Sequence, residues 1–89
     1  MKLIPIKQAQ AKLANAMADK GLRELSLATF KKDRSVTLRR EAERWMLLEE
    51  GFRSARIPIA PDAQGKRLVK EAFKREFPRS TRAYVAEVR

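Results

Sequence analysis

The chain has 89 residues, with 21 Lys and Arg against 11 Asp and Glu, a formal charge of +10, and neither histidine nor cysteine. That length predicts one domain over residues 1–89 with a small core, and a hydrophobic fraction of 44%, that of an ordinary globular protein, argues against a disordered basic tail. Without cysteine there are no disulfides or thiolate metal sites, and without histidine the commonest general acid–base group is missing, so no catalysis, cofactor or metal is expected.

Met1-Lys2-Leu3-Ile4-Pro5 holds no apolar run of signal-peptide length, and nothing approaches the ~20 apolar residues of a membrane span, so a cytoplasmic protein without a membrane partner is expected. Residues 6–20 predict an amphipathic helix. Ile6, Ala9, Leu13, Ala16 and Met17 share one arc, Pro5 suits the helix start, and Gly21 suits the stop. Leu25 and Leu27, then Val36 and Leu38, alternate with polar or small neighbours around Lys31-Lys32-Asp33-Arg34. They predict a hairpin over 24–38 with a basic tip, although the Asn-Gly or Asp-Gly signature is absent and a short helix from Ser26 competes.

A second helix is predicted over 37–50 from the spacing of Leu38, Ala42, Trp45, Met46, Leu48 and the following Phe52, with Gly51 as its stop. On that helix Leu47 points into the polar face, where it covers a neighbouring element, contributes to an oligomer contact or is a singly exposed leucine. Pro58 and Pro61 restrict Ile57 and Ile59 to an edge strand near 55–59. Asp62 can cap a third helix over 63–77, with Leu68, Val69, Ala72, Phe73 and Phe77 inward and Pro78 as the stop. The tail 80–89 fits a short helix or a strand through Tyr84 and Val88. The expected fold is therefore α+β and helix-dominated, with three amphipathic helices and a short hairpin, or else all-α.

The acids are placed to form helical pairs such as Arg39 with Glu43 and Glu71 with Arg75. The bases are more informative. Residues 31–40 carry five positive charges and one negative, and Lys31, Lys32, Arg34, Arg39, Arg40 and Arg44 are predicted to form one cluster at a turn and helix start. Lys66, Arg67, Lys70 and Lys74 form a second along the third helix. Two such clusters predict a polyanion surface that contacts phosphates. The predicted function is a small nucleic-acid-binding accessory or regulatory factor, with DNA favoured over RNA. The alternative is an adaptor or inhibitor that docks on an acidic protein surface. Trp45, Phe52, Phe73 and Phe77 fall at core-spaced helical positions, leaving Phe30 and Tyr84 as the free rings. That count favours a duplex backbone or structured RNA over single-strand stacking.

Arg40-Glu41-Ala42-Glu43-Arg44-Trp45 resembles the helix start of the arm-type DNA-binding domains of phage integrases. The resemblance covers six residues and implies a three-stranded sheet ahead of that helix, where one hairpin is read here.

Overall fold

The computed structural model describes residues 1–89. Its elements, in chain order, are β1 (Lys2–Pro5), α1 (Ile6–Asn15), a 3-10 turn (Ala16–Ala18), β2 (Glu24–Ala28), β3 (Ser35–Glu41), β4 (Arg44–Glu50), β5 (Ala55–Ile59), α2 (Ala63–Glu76) and β6 (Arg82–Val88). The six strands form one antiparallel sheet in the order β1-β6-β2-β3-β4-β5. Strand accounts for 39% of the chain and helix for 30%. The expectation of a helix-dominated fold with three helices is therefore overturned, as is the all-α alternative. No helix is long and apolar enough to cross a membrane.

The decisive difference lies at 37–50, where the predicted second helix is instead the β3–β4 hairpin. Its tip is Ala42-Glu43. Ala42 has φ 55° and Glu43 an ordinary negative φ, the pattern of a II′ turn, which normally puts glycine where Ala42 stands. Leu38 on β3 and Trp45 and Leu47 on β4 face the core with a period of two. Leu47 is thus a core residue, 2% exposed, and not the exposed leucine of a helix's polar face. The stretch resembling an integrase helix start is strand, turn and strand, so that resemblance fails. The 24–38 hairpin forms as β2 and β3, β5 is an edge strand, and the tail is a strand seated between β1 and β2.

One face of the sheet is packed and the other is open. Ile4, Leu25, Leu27, Val36, Leu38, Trp45, Leu47, Ile59, Ala83 and Val85 meet Ala9, Leu13, Ala16, Met17, Val69, Ala72, Phe73 and Phe77 from the helical layer in one core. The α2 start is fixed by Asp62, whose carboxylate accepts the Gly65 N–H at 2.8 Å, as the sequence predicts. The other face carries Leu3, Ser26, Thr37, Arg39, Met46, Leu48, Arg56, Pro58, Arg82, Tyr84 and Ala86. Its edges are poor templates for another chain, since β1 has four residues and β5 contains Pro58.

The end of α2 is tied to the β4–β5 turn by two buried acids. Glu49, 1% exposed, accepts the Arg75 guanidinium at 2.8 and 2.9 Å. Glu76, also 1% exposed, accepts the backbone N–H groups of Phe52 at 2.8 Å and Arg53 at 3.2 Å. A carboxylate in the last turn opposes the helix dipole. The two backbone donors and the nearby Arg34, 3.9 Å away, offset that penalty. No buried side-chain polar atom lacks a partner.

Candidate nucleic-acid interface

Strand register determines which cations share a surface. Ala28 pairs with Ser35 and with Tyr84, Ser35 pairs with Glu50, and Pro5 pairs with Arg82. The β2–β3 tip (29–34), the β4–β5 turn (51–54) and the α2–β6 loop (77–81) therefore all emerge at one end of the sheet. Lys31, Lys32, Arg34, Arg53, Arg79 and Arg82 lie there, against Asp33, Glu50 and the buried Glu76. Of these six cations, only Arg34 is in an ion pair.

The tip is held in shape by Thr29. Its N–H donates to the Arg34 carbonyl at 3.0 Å, and its carbonyl accepts the Lys32 N–H at 2.8 Å. Its hydroxyl donates to Asp33 at 2.8 Å and accepts the Arg34 N–H at 3.3 Å. The Thr29 hydroxyl, reinforced by Arg34 and Lys31, holds the Asp33 carboxyl below its ordinary range. Lys32 has φ 61° and completes a four-residue loop around the Thr29–Lys32 turn, which replaces the missing Asn-Gly signal. The fixed tip leans Phe30 over Tyr84, with ring centroids 6.2 Å apart and planes 12° from parallel. The Lys32 ammonium lies 4.7 Å from the centre of the Tyr84 ring.

Between this tip and the α2–β6 loop runs an open cleft of about 620 Å³. Lys31, Arg34, Arg79 and Arg82 line it, together with the polar side chains of Thr29, Ser80 and Thr81, and Glu76 and Asp33 supply the acids. The Glu76 carboxylate is occupied by the Phe52 and Arg53 amides. What remains is a concave surface with several cations and few competing anions, suited to phosphate oxygens.

The cluster predicted at 31–44 is divided by the sheet. Lys31, Lys32 and Arg34 occupy the tip, while Arg39, Arg40 and Arg44 stand toward the far end of β3 and β4, up to roughly 20 Å away along a seven-residue strand. Arg39 is on the open face and donates to Glu24 at 2.6 Å; the predicted Arg39–Glu43 pair does not form. Arg40 donates to the carbonyls of Asp19 and Lys20, both at 3.2 Å, and lies 4.7 Å from the Trp45 ring centre. Arg44 is exposed beside the Ala42-Glu43 turn. None of the three opens a helix.

The second predicted cluster keeps its stripe. Lys66, Arg67, Lys70 and Lys74 are all exposed along α2, on the helical layer and away from the open sheet face. Lys66 and Lys70 flank a smaller groove between α1 and α2, about 260 Å³, floored by Leu13, Met17, Val69 and Phe73. The predicted Glu71–Arg75 pair is replaced by Arg75 with Glu49.

The residues that sequence reasoning missed are Arg53, Phe52, Arg79 and Arg82. The run Pro78-Arg79-Ser80-Thr81-Arg82, a basic loop directly after a helix stop, was the available signal for two of them. The helical spacing places Phe52 in the core, but no helix forms there and the ring is 72% exposed. Comparison with protein-family models, curated proteins and solved structures finds no match, so the functional reading rests on this geometry.

Proposed function

We propose that the chain is a small nucleic-acid-binding factor whose phosphate-contacting surface is the end of the sheet formed by the β2–β3 tip and the α2–β6 loop. The observation that carries this reading is the convergence of Lys31, Lys32, Arg34, Arg53, Arg79 and Arg82 at that end, only one of them in an ion pair. Uncompensated cations repel one another, and bound phosphates relieve that repulsion while releasing condensed counterions. Lys74, in the last turn of α2, extends positive charge toward the same end. Arg39, Arg40 and Arg44 bind backbone or side-chain partners or lie elsewhere, and they are supporting charges in this reading.

Fluorescence-anisotropy titration against labelled oligonucleotides tests it. Contacts with five or six phosphates predict a loss of about 10³-fold in duplex affinity between about 50 and 200 mM salt. Failure to bind any oligonucleotide below ~100 µM at low salt refutes the reading. A shallow salt response would instead match an adaptor that docks on an acidic protein through apolar anchors.

A further inference from the structure

Two large rings are left in solvent by the folded chain, and both stand at the basic end. Phe30 is 64% exposed at the β2–β3 tip and Phe52 is 72% exposed in the β4–β5 turn. Only β3 separates β2 from β4, so the strand ends carrying the two rings are about 10 Å apart. Neither ring has a core to enter. Phe30 rests on Tyr84 through one stacked contact, and the Phe52 backbone is anchored by the Glu76 carboxylate. Each is thus an apolar surface on a hydrogen-bonded loop, with Lys31, Lys32 and Arg34 in the loop of Phe30 and Arg53 beside Phe52.

Duplex DNA presents phosphates and groove edges, and has no free base face for an exposed ring to cover. A single strand presents both phosphates and base faces, and proteins that hold one combine a cationic groove with aromatic platforms. Resting on the nucleic-acid reading above, we infer that this end of the domain binds single-stranded nucleic acid, with Phe30 and Phe52 each stacking on a base and the cations between them holding the backbone. Phe52, which the helical spacing places in the core, thus takes the place of the half-buried Tyr84 as the second free ring, and it stands at the same cationic end as Phe30.

The test compares a labelled 15-nucleotide oligothymidylate, the same length of duplex, and an abasic oligomer with the same phosphates, titrated at about 50 mM salt. The expected result is tighter binding of oligothymidylate than of duplex or abasic oligomer. Phe30→Ala and Phe52→Ala should each weaken oligothymidylate binding about 5- to 100-fold and leave duplex and abasic binding within about twofold. Both side chains are exposed, so the variants should melt like the parent, and circular dichroism checks that. If oligothymidylate binds no tighter than duplex, or the Phe30→Ala/Phe52→Ala double variant binds it as the parent does, stacking is refuted while phosphate binding stands. If the parent binds none of the three, the underlying nucleic-acid reading falls.

Discussion

Replacing Ala42 by glycine distinguishes the β3–β4 hairpin from a helix over the same residues by the sign of one number. Ala42 holds φ 55° at the tip and its methyl group is exposed, so removing it uncovers no core surface. An L-residue in the left-handed region costs about 1–2 kcal/mol. Glycine avoids that cost but adds about 0.4–1 kcal/mol of unfolded-state entropy. Taking the middle of each range, the net gain is about 0.8 kcal/mol, which for a domain of this size raises Tm by roughly 3–6 °C. In the interior of a helix the same substitution would cost about 1 kcal/mol and lower Tm. Thermal melts followed by far-ultraviolet circular dichroism read the difference directly. Glu43→Gly is the internal control: Glu43 has no positive φ, so glycine there should lower Tm. An Ala42→Gly variant that melts at or below the parent temperature would refute the turn assignment.

Gly51→Ala should destabilise by at least about 2 kcal/mol in urea titrations, because φ is +141° and a Cβ would overlap the Glu76 carboxylate and the Arg34 side chain. Stability should also fall in acid through Glu49. Its hydrogen bond from Arg75 depresses the folded-state pKa below 4.5. The contribution is therefore complete above the unfolded value and is lost as pH falls through the depressed one. Glu49→Gln should be less stable than the parent at pH 7 and show a flatter decline below about pH 4.5, measured as the urea midpoint against pH. For the interface, combined Arg79→Ala and Arg82→Ala should reduce the log–log salt slope of oligonucleotide binding by about 1.4–1.8. Combined Lys66→Ala and Lys70→Ala, on the helical layer, should leave that slope unchanged.

How far the sequence reveals this fold depends on where apolar periodicity is clean. In α1 and α2 it is: Ala9 with Leu13, and Val69 with Ala72 and Phe73, mark single faces that the structure buries. In β2 and the start of β3, Leu25, Leu27, Val36 and Leu38 alternate without interruption. From Arg40 onward the alternation is broken by charge. Arg40 and Glu49 both occupy positions on the packed side of the sheet, where a reader expects apolar residues, because each finds partners that satisfy it. The tip lacks glycine and asparagine, and Arg, Glu, Ala and Leu are strong helix formers. Local preference there favours a helix, and strand pairing with β2 and β5 overrides it. The error carried into the site, since it moved Phe52 inward and placed Arg39, Arg40 and Arg44 beside the tip cations. Lys31, Lys32 and Arg34 were legible because they lie within one turn. Arg79 and Arg82 join them only through the pairing of β6 with β2, a contact between residues more than fifty positions apart.

That same pairing sets the order in which the domain can be assembled. β1 has no partner other than β6, and β6 lies between β1 and β2, so two of the five strand–strand seams wait for residues 82–88. During synthesis the β2–β5 meander can zip up from neighbouring hairpins as it leaves the ribosome, but β1 cannot join the sheet at that stage. Ile4 stays without its sheet neighbours until almost the entire 89-residue segment has been made. Contacts this distant in sequence slow folding and lengthen the interval in which apolar surface is uncovered. Nascent chains halted before residue 82 should therefore be a preferred substrate for holding chaperones, and those extended past residue 88 should escape them.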